Sequence, residues 1–400
     1  MSNWKLYSGA AVSLMAAAAI VAPAQAQVTS AGIRGDIVSP SGEAVPGASV
    51  RIIDTRTGAV STSTASATGQ FQTRGLNVGG PYTIEIAAPG YRTTRITDIV
   101  LQLGEVANVE VAFAAAADDD AEARMEVVTV SATAGGLVQT AIGPSATFSL
   151  EDIEQTPAIN RDLKDIVRLD PRVYLDESFN DSIQCAGSHP RFNSLTVDGI
   201  GLNDGFGLNS NGYPTQQMPF PFDAIQNVSV ELAPFDVEYG SFTACNINAV
   251  TKSGTNEFHG SAFYDYGDDS LVGDKTEGQD YTGPDFEEKR YGFTLGGPVL
   301  KDRLFFFGAY EKFEGPGAEI NRTPEGGSGQ VVEGFTQAEF DEISDIAQNV
   351  YGYNPGGIPT AEGTEDEKYL IRVDWNITDN HRATATYNYN EGFSLSESDG

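Results

Sequence analysis

The groups with the most chemical potential in this chain of 400 residues are two cysteines, three histidines and a large excess of acid. Cys185 and Cys245 are the only cysteines. An even count in an exported protein suggests a disulfide, with two free thiols as the alternative. A bridge closing a loop of this size would stabilise by about 4 kcal/mol in the chain-entropy picture. His189, His259 and His381 are scattered and lack ligand spacing, so no metal site is expected. No Ser/His/Asp order and no phosphate loop is present. Gly199-Ile200-Gly201 lacks the strand-then-helix context of a nucleotide site. Neither an enzyme nor a cofactor is expected. The formal charge of −32 argues against nucleic acid as a partner. Many of the acids lie in 265–289 and 314–367, which read as solvated loops or as loops that bind cations or repel anions. The other chemically suggestive stretch is 205–217. There Phe206 and Tyr213 could stack on a sugar or peptide, and Asn209, Asn211 and Gln216 could hydrogen-bond it. A loop that merely packs against its surroundings would look the same.

These groups must be positioned by a chain that leaves the cytoplasm. Lys5, an apolar run over 9–22 and Ala24-Gln25-Ala26 read as a signal peptide over 1–26, with the mature chain starting near Gln27. No cysteine follows the cut, so a lipid anchor is not expected. Residues 27–113 carry short β-rich runs at 32–38, 48–54, 60–64, 82–87, 96–103 and 107–113, separated by Gly/Pro/Ser/Asn turns. That spacing predicts a β-sandwich. Residues 114–136 form a small, polar and acidic linker. Within it, Glu126, Val127, Val128, Thr129 and Val130 make a short β-prone run able to add itself to another protein's sheet edge, or to start the next domain. Residues 137–256 read as an α+β module. Asn160 is placed to cap a helix over 161–168 with Leu163, Ile166 and Val167 on one face, and a shorter helix follows Ser149. Strands are expected at 194–197, 228–232 and 247–251.

From Asn256 the pattern changes. Phe258, Gly260, Ala262, Tyr264 and Tyr266 share one face of a strand, with Phe263 an exception on the other. Tyr291, Phe293 and Leu295 alternate with polar or small neighbours. So do Tyr369, Ile371, Val373 and Trp375, then Ala383, Ala385, Tyr387 and Tyr389. A further strand covers 304–313. Apolar and polar residues alternating over segments of about ten residues is the signature of a transmembrane β-barrel wall, with Arg290, Arg372 and Asp374 facing the lumen. Connections alternate long (267–288, 314–366) and short (298–303, 378–381), as such barrels do. The longest contains a capping box, Thr336 to Glu339, with Phe340, Ile343, Ala347 and Val350 on one helix face. Only five strands are expected over 257–400. Five cannot close in lipid, so the chain reads as the N-terminal part of a longer protein.

The motifs carry a resemblance. Gly42 to Ala48, Ala67 to Phe71 and Pro89-Gly90-Tyr91 resemble a carboxypeptidase regulatory-like domain, a transthyretin-like sandwich loosely linked with carbohydrate binding. Thr196-Val197-Asp198-Gly199, Pro234 to Gly240 and Asn248 to Asn256 resemble the TonB-dependent outer-membrane receptors, specifically the Oar-like group. The resemblance implies a mixed fold: a sandwich, an α+β plug over 137–256 and the first strands of an antiparallel transmembrane barrel. It implies that Glu126 to Val130 are a TonB box, that 205–217 is a plug apex, and that the sandwich and box lie in the periplasm. The implied partners are TonB with its inner-membrane energising complex, the outer-membrane lipid, and an extracellular substrate such as a sugar, peptide or chelate. The implied activity is energised import. A surface adhesin or a protein exporter anchored by the same barrel is the alternative.

Overall fold

The computed structural model describes residues 29–113, 144–179, 181–205, 209, 211–232, 242–273, 275–276, 279–280, 286–316, 323–325, 331–356, 363–378 and 381–394. The five residues from Glu126 to Val130, Phe206 and the signal segment lie outside them.

Alternation of buried and exposed side chains builds the first unit, a sandwich of two sheets. Strands β1 (Ala31–Val38), β2 (Ser49–Asp54), β3 (Val60–Thr64), β4 (Gln70–Leu76), β5 (Gly79–Ala87), β6 (Thr94–Leu101) and β7 (Val106–Ala112) form them. The orders are β4-β1-β7 and β3-β2-β5-β6. Strand β4 was not among the sequence expectations, because Gln70, Gln72 and Arg74 dilute its apolar signal. Ile33, Ile37, Val50, Ile52, Ile84 and Ile86 fill the space between the sheets, and Val250 from the following unit packs against the same cluster.

The second unit contains β8 (Ser145–Phe148), α1 (Leu150–Gln155), α2 (Leu163–Val167), β9 (Val173–Asp176), β10 (Ser182–Cys185), β11 (Ser194–Val197), β12 (Ile200–Gly201), β13 (Ile225–Leu232) and β14 (Cys245–Thr251). Its sheet runs β12-β11-β14-β13-β8, and β9 pairs with β10 in a separate hairpin. Ser149 caps α1 in a capping box with Asp152. The cap of α2 is Asp162, not the expected Asn160. Arg161 adopts a left-handed backbone (φ 50°), so the helix cannot start before it.

The third unit is a five-stranded antiparallel meander whose wall strands pair in chain order. Two short pairs sit in its long connections: β16 (Lys275–Thr276) with β17 (Gln279–Asp280), and β20 (Thr323–Glu325) with β21 (Val331–Thr336). The wall strands are β15 (His259–Asp268), β18 (Glu287–Leu300), β19 (Leu304–Gly315), β22 (Thr364–Thr378) and β23 (His381–Phe393). Their two faces differ sharply. Phe258 is 67% exposed, Phe293 55% and Trp375 50%, whereas Phe305 and Leu370 on the other face are at most 1% exposed. A continuous exposed row of large apolar and aromatic side chains is what lipid contact requires and what water disfavours. Tyr369 stacks on Tyr389 with ring centroids 4.7 Å apart on that outer face. Among the described residues no helix is long and apolar enough to cross a membrane, so any crossing here is made by strands. Helix α3 (Gln337–Asn349) has the expected capping box at Thr336. Its Ile343 and Ile346 remain exposed.

The sandwich sits at the short-turn end of the wall. Asn256 donates its backbone N–H to the Arg56 carbonyl (2.8 Å) and exchanges side-chain bonds with Asp302 in the short β18–β19 turn. Arg382 donates to Ser61 Oγ (3.0 Å), and Asn227 to Gln102 Oε1 (3.0 Å).

Candidate plug and lumen interface

The second unit rests on the buried inner face of the wall, and named side chains hold it there. The first contact begins in local backbone chemistry. Asp198 and Gly199 both have positive φ (48° and 80°), the requirement of a two-residue hairpin between β11 and β12. That turn delivers the Asp198 carboxylate to Thr251, where it accepts from the backbone N–H (2.9 Å) and the hydroxyl (2.6 Å). From β22, Arg372 reaches the same point. It donates to the Thr251 carbonyl (3.1 Å) and lies 3.5 Å from Asp198. Its Nε and Nη2 grip Asp374 at 2.9 and 3.0 Å, and Thr384 donates to Asp374 at 2.8 Å. Strand alternation explains why Arg372 and Asp374 point inward together.

A second contact is more deeply buried. Lys368 lies directly opposite Glu311 across β22 and β19. Its ammonium is 3.1 Å from Asp366 and 3.5 Å from Glu311, and it donates to the Met218 carbonyl at 3.1 Å. Glu311 accepts the Phe222 N–H at 3.1 Å, and Asn390 donates to Asp366 at 2.9 Å. Two carboxyl groups thus share one ammonium, with backbone of the plug completing the set. None of Lys368, Glu311 and Asp366 was singled out from sequence. Their signal was polar character at inward positions of a period-2 strand, but the cross-strand register that pairs them is not readable from sequence.

The exceptional Phe263 is explained here. Its inward ring receives the Arg161 guanidinium at 3.5 Å from the centroid, and Arg161 also pairs with Asp223 at 2.6 Å. Arg290 donates to the Asn160 carbonyl and lies over Phe313 at 4.7 Å. Gly254 passes so close to the wall that a Cβ there would sit 2.8 Å from the Gly297 carbonyl, which explains glycine in the Lys-Ser-Gly junction.

At the long-loop end a cavity of about 960 Å³ opens between plug and wall. Asn209, Asn211, Tyr213 and Gln216 all line it, together with Tyr174, Asp162, Glu177, Asp181 and, from the wall, Glu288 and Arg290. The Tyr213 ring is buried, and its hydroxyl donates to Asp162 at 2.5 Å, so it is packed into the plug and offers no open face for stacking. Burial, reinforced by the Asp162 charge, pushes the phenol well above its ordinary pKa and keeps it a donor. The exposed aromatic in the lining is Tyr174, on β9. Asn211 donates to the carbonyls of Thr215 (3.0 Å) and Gln216 (2.8 Å), shaping the loop. Cys185 and Cys245 are joined by a disulfide spanning 60 positions, which ties the β9–β10 hairpin to the start of β14.

Comparison with known proteins matches each unit to a family model. Residues 32–114 match a carboxypeptidase regulatory-like domain, 138–245 a TonB-dependent receptor plug domain and 250–325 an outer membrane beta barrel domain. The chain thus carries, in order, the regulatory-like sandwich, the plug and the outer-membrane barrel start that resemble those of TonB-dependent outer-membrane receptors. It is 36% identical over 138 residues to the TonB-dependent transporter Oar of Myxococcus xanthus, covering 33% of this chain and 12% of that one. It is 31% identical over 257 residues to the probable TonB-dependent siderophore receptor PirA of Acinetobacter baumannii, covering 57% and 32%. The outer membrane transporter YddB from Escherichia coli superposes with a TM-score of 0.44 at 15% identity, over 64% of this chain and 34% of that one. The chain thus spans no more than about a third of the length of the curated relatives it matches, 32% of one and 12% of the other. The receptor lies in the bacterial outer membrane, and its curated relatives are transporters and receptors.

One consequence of the Arg372 contact is measurable. Arg372→Lys keeps the charge but loses the planar fork that holds Asp374 and Thr251 together. The expected cost is about 1.5–3 kcal/mol of receptor stability, read from the denaturant midpoint. Asp198→Asn should then cost less in the lysine background than in the wild type, because the two residues share one contact. Strictly additive costs would show that they act separately.

Proposed function

We propose that this receptor binds an extracellular solute at the long-loop end of the plug and imports it with force relayed by TonB. The supporting observation is the seating of the plug. The Arg372–Asp198 ion pair and hydrogen bonds from the buried Lys368 and Glu311 to plug backbone fix it to the inner face of the wall, a polar cavity lies at one end, and the sandwich lies at the other. In this reading the short-turn end faces the periplasm, and Glu126 to Val130, between sandwich and plug, are the strand that TonB takes up by edge addition. The outer membrane has no energy source of its own, so uphill import needs an external motor. Solute can signal inward only by binding one plug state better than another.

The cavity lining is rich in carboxylates and amides, with Arg290 and Tyr174 as further contacts. It suits a polar solute such as a sugar, a peptide or a chelate. One relative is named as a siderophore receptor, which puts ferric chelates among the candidates. A second reading, surface binding or export anchored by the barrel, is favoured by one observation: Ile343, Ile346, Tyr351 and Tyr353 stand exposed on and after α3.

Deleting Glu126 to Val130 separates the two. Energy-dependent uptake should be abolished while surface binding is retained. The solute is first found by growing a strain lacking the gene on panels of carbon, iron and peptide sources. Uptake that survives the deletion would refute TonB-driven import.

A further inference from the structure

The disulfide divides the plug into a part tied by non-covalent contacts alone and a part enclosed in a covalent loop. Upstream of Cys185 the elements are held by non-covalent contacts alone: Leu163, Ile166 and Val167 of α2 in the plug core, Arg161 on Phe263, and the Asn160 carbonyl on Arg290. Among the described residues, strand β8 is an edge strand paired with β13 alone, and β9 and β10 pair with each other alone. Between the cysteines lie the groups that the wall grips most: Asp198 by Arg372, the Met218 carbonyl by Lys368, the Phe222 N–H by Glu311 and the Pro219 carbonyl by Asn388 (2.9 Å). Downstream of Cys245, β14 runs through Thr251 and Gly254 straight into the wall strand β15.

We propose that the Cys185–Cys245 bridge is a mechanical stop that fixes how much of the plug a pull can remove. This rests on reading the plug's N-terminal side as the pulling point. Tension applied upstream of residue 144 peels β8, α1, α2 and the β9–β10 hairpin in turn, because each is held by non-covalent contacts. At Cys185 the tension crosses the sulfurs to Cys245 and passes along β14 into the wall. The segment between the cysteines is bypassed and stays seated.

The cavity gives this division a use. Asp162, Tyr174 and Glu177 line it from the part that peels, whereas Asn209, Asn211 and Gln216 line it from the part that stays. Peeling removes one side of the cavity in the same step that opens the lumen. Opening and release are then a single event, and the retained loop can bind again when the peeled part refolds.

Single-molecule force spectroscopy tests the stop. The full-length receptor is held in a lipid bilayer, with a handle inserted just upstream of residue 144. The oxidised receptor should release a chain about 200 Å shorter than the Cys185→Ala/Cys245→Ala receptor, the bridge removing 60 positions at roughly 3.5 Å each. Dithiothreitol added to the unmutated receptor should lengthen the release by the same amount, which guards against a variant that misfolds. Equal lengths before and after reduction would overturn the proposal. The measurement needs no TonB. A length difference alongside uptake that survives box deletion therefore condemns the import reading alone, and equal lengths alongside uptake that is lost condemn the stop alone.

Discussion

Replacing Lys368 with methionine is expected to unseat the plug, at a cost of about 3–5 kcal/mol. Glu311 and Asp366 are 1% and 0% exposed, and the ammonium between them is the cation both of them face. Methionine has the right length and no charge, so the substitution leaves two carboxyl groups without their counter-ion, and it strips the Met218 carbonyl of its donor. A plug held less firmly should also leak. The measurements are the unfolding midpoint of the purified receptor and the entry of a bulky hydrophilic antibiotic into cells. The decisive control neutralises the whole set: Lys368→Met with Glu311→Gln and Asp366→Asn should recover most of the loss, because a buried ionic cluster replaced as a unit is often nearly neutral. A single variant within about 1 kcal/mol of wild type would show that the cluster does not hold the plug.

Removing the disulfide is the other large effect. The bridge closes a loop of 60 positions, for which the chain-entropy picture gives about 4 kcal/mol. Both cysteines are fully buried in the plug's apolar core. Serine would add buried hydroxyls to the loss, so alanine at both positions isolates the cross-link. Calorimetry of the receptor should show the plug transition moving down while the barrel transition stays in place. An unchanged plug transition would mean that the contacts to the wall, and not the bridge, set its stability.

How much of this was legible depends on the range of the interaction. The capping box at Thr336 and the helix start after Ser149 were visible because each signal lies within four residues. The wall strands were visible because lipid and lumen impose a period of two on every one of them. The cap of α2 was misplaced by two residues because the left-handed Arg161 is held by distant partners, Phe263 and Asp223. The apolar side of α3 was read correctly as a helix face, yet Ile343 and Ile346 on that helix are exposed among the described residues. The loop over 205–217 was read as a ligand contact. Four of its five named residues do line the cavity, but Tyr213 is spent on Asp162, and Tyr174 stands open instead.

The order of units, the membrane-facing pattern and the family motifs came from the sequence alone, since each is carried by neighbours along the chain. Which carboxylate meets which cation was settled only in three dimensions. Glu311 and Lys368 are 57 positions apart, and Asp198 and Arg372 are 174 apart. Strand register and plug docking bring them together, and those depend on the simultaneous packing of all three units, a long-range quantity that no local window of sequence encodes.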